Sequence, residues 1–286
     1  MGGIKVEKLT IGQVQQLGYQ MLEKFNEIAK ENNLTYYLSG GTCLGAIRHE
    51  GFIPWDDDID LLMPREDYDK FIQIVSNNEN IFGESPYHVC KPLDDNYYCP
   101  FLKIINTDTV VYEKNIHKRY KSGVWVDIFP LDYCDNDVNN IEKDYRKFMF
   151  YKMMLQFNIQ GKLDSLKKRA LMAIAYVPLS IINFGKNDKY WIQKILNLTN
   201  KPSSDKVAAV VWRLDNRELY FPISWFQEVK YVKFEGGQFP IFTKYHEYLT
   251  MMYGDYMKIP DEKDRVVHDF EGYLTVTETK LSNKSS

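Results

Sequence analysis

Apolar residues recur at helical spacing in several segments of the chain, and shorter apolar runs bounded by turn residues indicate strands between them. A first helix is predicted from Thr10, because Thr10 and Gln13 form a capping box ahead of apolar positions three and four residues apart. Further helices are predicted over residues 42–48, 66–76, 141–157, 163–184, 188–198 and 244–253. Strands are predicted over residues 34–39, 59–63, 101–106, 110–112, 124–129, 206–214 and 231–234.

The two halves of the chain differ in this pattern. Pro130 is expected to end the strand over residues 124–129, and Gly254 is expected to end the last helix. Strands and helices alternate up to about residue 135, whereas helical spacing dominates afterwards. We therefore expect a mixed α+β region over residues 1–135 and a mainly helical region over residues 136–286.

Charge and cysteine content exclude several classes of protein. The chain has 286 residues, with 36 Lys and Arg against 39 Asp and Glu, so there is no positive surplus for gripping nucleic acid. The N-terminal residues lack the pattern of a signal peptide. The four cysteines form no C-x-x-C pair, which argues against a zinc site and a disulfide-rich secreted scaffold. These features predict a cytoplasmic protein with no nucleic-acid partner.

An acidic cluster interrupts an apolar segment of the first half, with aspartates at positions 56, 57, 58 and 60. Alternate residues of a strand share a face, so Asp58 and Asp60 point the same way while Ile59 and Leu61 point into the core. Two neighbouring carboxylates repel each other, and a bound cation removes that cost. Oxygen ligands favour Mg²⁺ or Mn²⁺. A solvated acidic turn is the alternative; a calcium loop is excluded because Leu61 stands where its glycine is needed.

Asp127 is the only charged residue in the strongly apolar segment Val124–Pro130. An unpaired buried carboxylate costs several kcal/mol, so Asp127 needs a partner. One interpretation is a structural aspartate paired with an arginine or with backbone amides. The other is that Asp127 joins Asp58 and Asp60 in a metal site of three carboxylates.

A glycine turn, Ser39-Gly40-Gly41-Thr42, lies between a predicted strand and a predicted helix. Glycines let the backbone approach a phosphate closely, and a helix N-terminus supplies amide donors. The turn is neither G-x-G-x-x-G nor a Walker loop, so it does not predict a dinucleotide or P-loop site. Its value lies in its combination with a D-x-D strand and a lone strand aspartate.

That combination resembles the nucleotidyltransferase superfold of the DNA polymerase β type. Four segments look more narrowly like the LicD family, which groups bacterial phosphocholine transferases with fukutin-type sugar-phosphate transferases: Leu38-Ser-Gly-Gly-Thr42, Gly45-Ala-Ile-Arg-His49, Gly51-Phe-Ile-Pro-Trp-Asp-Asp-Asp-Ile-Asp60 and Val126-Asp-Ile-Phe-Pro-Leu-Asp132. Residues 248–268 also match the usual ending of that family, whereas residues 136–225 add nothing. The resemblance implies a nucleotidyltransferase-like core over residues 1–135, with residues 136–286 completing the site and the acceptor surface.

The resemblance implies transfer of a phospho-alcohol from a CDP-linked donor to a sugar hydroxyl, with release of CMP. The alcohol is choline, glycerol or ribitol, and the acceptor is a lipid-linked or polymeric glycan such as teichoic acid, lipopolysaccharide or a capsule precursor. By the family pattern Asp58, Asp60 and Asp127 hold Mg²⁺ or Mn²⁺. Asp127 is our candidate for taking the acceptor proton, because it is expected where the metal and the hydroxyl meet. The substrate-binding residues expected in the same way are Ser39, Gly40, Gly41, Thr42, Arg48, Trp55, Lys103, Arg265 and His268.

Choline carries a quaternary ammonium, which aromatic faces bind through cation–π attraction. The aromatic candidates are Trp55, Tyr97, Tyr98, Trp125 and Trp212, although an aromatic residue more often belongs to the core. The alternative functions are a metal-dependent glycosyltransferase that uses a D-x-D motif, a nucleotide-adding enzyme of the same superfold, and a catalytically inactive glycan-binding relative.

A mostly apolar segment over residues 170–184 is flanked by Lys and Arg. It is shorter than the ~20 residues of a membrane-spanning helix, and Pro178 would kink it. Two interpretations remain open. Residues 170–184 form a buried helix of the second half, or residues 165–186 lie peripherally on the inner face of the plasma membrane, which suits a lipid-linked acceptor.

Overall fold

A computed structural model of the chain describes residues 5–114, 116–120, 122–160, 178–211, 220–265 and 270–276. The helices in these ranges are α1 Ile11–Glu31, α2 Gly40–His49, α3 Arg65–Asn77, α4 Val138–Ile159, α5 Asp188–Leu196 and α6 Tyr245–Tyr253, and residues 178–183 are also helical. The strands are β1 Lys5–Lys8, β2 Tyr37–Leu38, β3 Asp60–Pro64, β4 Tyr87–Cys90, β5 Leu102–Asn106, β6 Thr109–Glu113, β7 Trp125–Tyr133, β8 Lys206–Ala208, β9 Phe221–Pro222, β10 Val229–Phe234, β11 Gly237–Phe242 and β12 Phe270–Val276. The mixed α/β class expected for the first half is confirmed.

A seven-stranded mixed sheet forms the centre of the fold. Its main path runs β2-β3-β7-β5-β4, and β8 and β9 extend it from β7. Strands β3 and β7 are parallel, and the other neighbours in this sheet are antiparallel. A second sheet has the order β1-β12-β6, and β10 and β11 form a hairpin. The parallel pair places the acidic segment beside the strand that carries Asp127.

Helix α1 forms where the sequence predicts it. The Thr10 hydroxyl accepts the Gln13 backbone N–H at 3.3 Å, and the Gln13 side chain accepts the Thr10 N–H at 2.8 Å. Both hydrogen bonds satisfy donors that the first helical turn leaves free. The buried face of α1, with Met21, Leu22 and Phe25 fully enclosed, covers the sheet beneath the acidic segment.

The prediction that Pro130 ends its strand is wrong, because β7 continues to Tyr133. The Asp127 N–H donates to the Ile59 carbonyl on the β3 side, and successive residues of a strand point their N–H groups to opposite sides. Position 130 therefore faces the side of β5 and β8. The β5 pairing ends at residue 128 of β7 and the β8 pairing begins at residue 132, so Pro130 falls between the two ladders and removes no hydrogen bond.

The second half is only partly helical. It contains α4, α5 and α6, but also the five strands β8 to β12, four of which the sequence patterns missed or placed too short. These strands are built onto the first half: β8 pairs with β7, and β12 pairs with β6 and β1. Short strands leave little periodicity in the sequence, and their partners lie far away along the chain.

Smaller differences concern the boundaries of elements. The strand predicted over residues 34–39 contains only Tyr37–Leu38, and α2 begins at Gly40 rather than at position 42. The strand predicted over residues 206–214 ends at Ala208, and residues 212–214 lie outside the described residues. Of the helix predicted over residues 163–184, residues 163–177 also lie outside them. Gly254 ends α6 as expected, with a φ of 69°.

Candidate active site

The pairing of β3 with β7 brings the predicted carboxylates together. Asp60 lies directly opposite Asp127 in this parallel pair, and Asp58 precedes Asp60 by two residues. One carboxylate oxygen from each of the three residues lies within 4.8 Å of the others. The convergence of Asp58, Asp60 and Asp127, which the spacing in the sequence leaves open, is therefore a feature of the fold.

The pKa values of this carboxylate group are strongly displaced. Burial raises the pKa of Asp60 well above its usual range, and the negative charges of Asp58, Asp127 and Asp56 raise it further. Burial also raises the pKa of Asp127 to about 7, with a further increase from Asp58, although the charge of Lys103 opposes it. The fold thus holds acids together at a cost in electrostatic repulsion. A divalent cation with a preference for oxygen ligands compensates that repulsion, so the donor set fits Mg²⁺ or Mn²⁺.

Lys103 is the partner that the buried Asp127 requires. It lies opposite Asp127 in the β5–β7 pair, and its Nζ is 3.3 Å from Asp127 Oδ1. The Nζ also lies 4.1 Å from the centroid of the Trp125 ring. Burial alone would lower the pKa of Lys103, but Asp127, Cys99 and Glu113 together outweigh burial and raise that pKa. Asp127 therefore has an ion-pair partner, a lysine rather than the expected arginine or backbone amides, and it also belongs to the carboxylate group. The metal site of three carboxylates stays a prediction.

The two glycines of the turn are required by the approach of the acids. Gly40 has a φ of +51°, and a Cβ at this position would lie 2.8 Å from Asp60 Oδ2. A Cβ on Gly41 would lie 2.5 Å from Asp56 Oδ2. The Gly40 N–H already donates to the Tyr248 hydroxyl at 3.1 Å. The absence of side chains at Gly40 and Gly41 thus leaves space for the carboxylates of Asp60 and Asp56. Gly41, but not Gly40, lines the adjoining cavity.

Ser39 and Thr42, both predicted to bind substrate, are buried, and both form hydrogen bonds with the backbone of Asp60. The Thr42 hydroxyl accepts the Asp60 N–H at 2.9 Å. The Ser39 N–H donates to the Asp60 carbonyl oxygen at 3.0 Å. Ser39 is 3% exposed and Thr42 is 4% exposed. The two residues position Asp60.

A cavity of about 600 Å³ opens beside the carboxylates. Among the described residues, those lining it are Gly41, Leu44, Arg48, Ile53, Trp55, Asp56, Asp58, Asp60, Tyr98, Cys99, Phe101, Lys103, Glu113, Trp125, Asp127, Phe129, Tyr253, Asp255, Tyr256, Lys258, Pro260 and Asp264. The lining comes from both halves of the chain. Its size is that of a typical small-molecule site.

Arg48 and Trp55, both predicted to bind substrate, line this cavity. Arg48 donates through one guanidinium nitrogen to the carbonyl oxygens of Tyr256 and Lys258, at 2.8 and 3.3 Å, and so holds the loop after α6 against the site. The Arg265 guanidinium stacks on the Trp55 ring at 4.2 Å. His268 lies outside the described residues.

The aromatic candidates divide into three groups. Trp55, Tyr98 and Trp125 line the cavity, whereas Tyr97 is buried and donates its hydroxyl to the Phe101 carbonyl oxygen. Trp212 lies outside the described residues.

Sequence reasoning missed the tyrosines 253 and 256, and it missed Glu113. The two tyrosines belong to the C-terminal segment whose resemblance to the LicD family was already visible, so that segment contained a usable signal. Glu113 follows an ordinary apolar strand, and nothing near it in the sequence marks it as part of a site.

Of the apolar segment, only residues 178–184 are described. Ile181 and Phe184 are 71% and 88% exposed, whereas Leu179 packs against the core. The interpretation of residues 170–184 as a buried helix stays a prediction. Within the described ranges, no helix combines the length and the apolar character needed to cross a membrane.

The chain is similar to known proteins along most of its length. A family described as "LicD/FKTN/FKRP, nucleotidyltransferase domain" matches residues 33–159, which include all three carboxylates. The chain is 32% identical over 282 residues to the lipopolysaccharide cholinephosphotransferase LicD of Haemophilus influenzae, and the match covers 94% of this chain and 100% of that protein. An uncharacterised protein of Rickettsia prowazekii is 38% identical over 77 residues, which are 26% of this chain and 29% of that protein. An uncharacterised protein of Rickettsia typhi is 39% identical over 72 residues, which are 25% of this chain and 23% of that protein.

By these matches, residues 33–159 resemble the domain of LicD-type proteins. The chain belongs to the LicD family.

Proposed function

We propose that the protein transfers phosphocholine from a CDP-linked donor to a hydroxyl group of a cell-surface glycan and releases CMP. The observation that carries this proposal is the convergence of Asp58, Asp60 and Asp127 at one end of a cavity of about 600 Å³, in a chain that matches a cholinephosphotransferase along its whole length. The relative's name supports a lipopolysaccharide acceptor; teichoic acid and capsule precursors are the other acceptors of the same chemistry. The core over residues 1–135 takes the nucleotidyltransferase fold in this proposal.

The three carboxylates hold Mg²⁺ or Mn²⁺ in this scheme. When bound, the cation neutralises the diphosphate of the donor and stabilises the charge that develops on the leaving phosphate. The fit rests on hard oxygen donors and on the burial and mutual repulsion that raise the pKa values of Asp60 and Asp127, a cost that a bound cation would relieve.

The residues of the chain provide the remaining steps. Lys103, Arg48 and Gly41 line the cavity and bind the donor phosphates. The acceptor hydroxyl gives its proton to the Asp127 carboxylate as its oxygen bonds to the distal phosphorus. The phosphoanhydride bond then breaks, and its electron pair leaves with CMP. Asp127 has this role in the proposal because its carboxylate belongs to the group at which the donor diphosphate would bind.

The other functions make different use of the same motifs. A glycosyltransferase would consume nucleotide sugars, and a nucleotide-adding enzyme would leave the nucleotide on its product. An inactive glycan-binding relative does not need three converging acids, and their retention favours a working enzyme.

The proposal is tested by incubating the protein and Mg²⁺ with an acceptor glycan and one donor at a time: CDP-choline, CDP-glycerol, CDP-ribitol or a UDP-sugar. We expect CMP release and a phosphocholine-sized mass increase with CDP-choline. Turnover of UDP-sugars alone would establish a glycosyltransferase instead.

The role of the carboxylates is tested with Asp60→Asn. We expect CMP release to fall at least about a hundredfold, because a lost ligand removes several kcal/mol of charge stabilisation. The melting temperature without metal should not fall, since the amide removes a repelled buried charge. Asp95→Asn is the control, because the side chain of Asp95 is 91% exposed in a surface ion pair. Full activity in Asp60→Asn would contradict the assignment.

We further propose that the protein works at the cytoplasmic face of the membrane, where a lipid-linked acceptor is accessible. All four cysteines are free, which suits a reducing compartment. The exposed Ile181 and Phe184, with Lys186 beside them, suit an interfacial contact. Replacing both apolar residues by Glu should abolish flotation with anionic phospholipid vesicles, and unchanged flotation would retire this contact.

A further inference from the structure

The two tryptophans in the cavity already bind cations from the protein itself. The Lys103 ammonium lies 4.1 Å from the Trp125 ring centroid, and the Arg265 guanidinium carbon lies 4.2 Å from that of Trp55. A positive ligand approaching either of these ring faces meets a resident positive charge. The aromatic residues that suit a cationic ligand must therefore be sought elsewhere in the lining.

Tyr98 and Glu113 offer such a place. Both line the cavity, and the Tyr98 hydroxyl donates to Glu113 Oε1 at 2.6 Å. Among the described residues, no Lys or Arg lies over the Tyr98 ring, and none forms an ion pair with Glu113. Glu113 ends strand β6, outside the carboxylate group on β3 and β7. It is thus a half-buried carboxylate to which the phosphoryl chemistry assigns no task.

The charged side chains in this part of the cavity lining include both signs: Asp127 and Glu113 are acidic, and Lys103 is basic. Asp127 pairs with Lys103 at 3.3 Å, and Glu113 lines the same cavity as this ion pair. A zwitterionic phosphate ester matches these charges, since its phosphate is attracted to Lys103 and its cation to Glu113. A phosphate ester of an uncharged polyol has the phosphate that Lys103 attracts but no cation for Glu113.

We propose that Tyr98 and Glu113 form the subsite for the trimethylammonium group of the donor, and so select choline over uncharged alcohols. This inference rests on the proposed phosphocholine transfer and specifies where its selectivity arises. The Glu113 carboxylate supplies the opposite charge, and the Tyr98 ring supplies an aromatic face that its hydroxyl bond to Glu113 keeps in place.

The test compares CDP-choline with the CDP ester of 3,3-dimethylbutanol, in which a neutral carbon replaces the quaternary nitrogen at nearly the same shape. We expect the parent protein to prefer CDP-choline in kcat/KM by about tenfold or more, as expected of a cation held by a ring and a carboxylate away from bulk water. Glu113→Gln keeps an acceptor for the Tyr98 hydroxyl but removes the charge. It should lose this preference while turning over the neutral ester as the parent does.

Glu271→Gln is the matched control. Glu271 lies next to the β12 partner of Glu113 but is exposed and paired with Lys8, so its replacement should leave the preference unchanged. Tyr98→Leu removes the aromatic face and should also reduce the preference, which keeps the test available if Glu113→Gln folds poorly.

The outcomes separate the two proposals. If the parent transfers choline and Glu113→Gln keeps the full preference, the subsite is overturned while phosphocholine transfer stands. An equal loss with both donors would also overturn it, because it would assign Glu113 a structural role. If the parent uses CDP-glycerol or CDP-ribitol and never CDP-choline, the proposed function itself fails.

Discussion

Replacing Gly40 with alanine tests directly whether the glycine turn is built around the carboxylates. Gly40 has a φ of +51°, a conformation that costs a residue with a Cβ about 1–2 kcal/mol. The new Cβ would also lie 2.8 Å from Asp60 Oδ2, against 3.4 Å for ordinary contact, so the carboxylate must move by about 0.6 Å. Metal–ligand distances tolerate only about 0.2 Å.

A control glycine with the same backbone conformation distinguishes the cost of the positive φ from the effect of displacing the Asp60 carboxylate. Gly83 has a φ of +63°, but nothing lies within 4 Å of a Cβ built there. Gly40→Ala and Gly83→Ala should therefore lose similar backbone stability, with melting temperatures lower by about 2–8 °C. Only Gly40→Ala should also weaken Mg²⁺ binding, by about ten- to a hundredfold, the effect typical of disturbing the support of a metal ligand.

Isothermal titration of the metal-stripped proteins with Mg²⁺ measures this effect, and CMP release at saturating donor follows its consequence. Equal Mg²⁺ affinity in Gly40→Ala and Gly83→Ala would refute the reasoning, because Asp60 would then have no role in binding the cation or would have moved without consequence. A loss of affinity in both variants would assign the effect to backbone stability.

Three further outcomes follow from the surroundings of the carboxylates. Thr42→Val removes the acceptor of the Asp60 N–H and should cost about 1–3 kcal/mol in urea denaturation, whereas an unchanged midpoint would exclude this support. Lys103→Met removes the charge that lowers the pKa of Asp127, so the acidic limb of the pH–activity profile should move to higher pH. Because the pKa of Asp127 is raised by folding from 3.8 to about 7, its contribution to the stability of the metal-free protein is lost as pH rises through 7. Mg²⁺ should accordingly raise the melting temperature more at about pH 8 than at about pH 5.5, and equal increments would contradict this linkage.

Elements with a local cause could be predicted well from the chain. Helix α1 begins at Thr10 because both partners of its capping box lie within four positions. Elements whose stability depends on distant partners could not. β7 passes through Pro130 only because its two neighbours on that side leave a gap there, and β12 exists by pairing with β1 and β6 from the other end of the chain.

The candidate site shows the same division. The residue types and their alternation placed Asp58 and Asp60 on one face, and a lone charge in an apolar strand marked Asp127 as a residue that needs a partner. Ser39 and Thr42 look like ligand contacts in the sequence, but in the fold they hold the backbone of Asp60. A hydroxyl beside a glycine turn has the same local pattern in both roles.

Local periodicity decides which way a side chain points, because the backbone geometry of a strand repeats every two residues. It does not decide which strand lies alongside, since that depends on how all the apolar faces pack together. The acidic residues, and the common orientation of Asp58 and Asp60, could therefore be predicted from the sequence alone. The tertiary structure alone decides that Asp127 lies beside Asp60 and that Lys103 is the ion-pair partner of Asp127. It also decides that the Tyr248 hydroxyl accepts the Gly40 N–H.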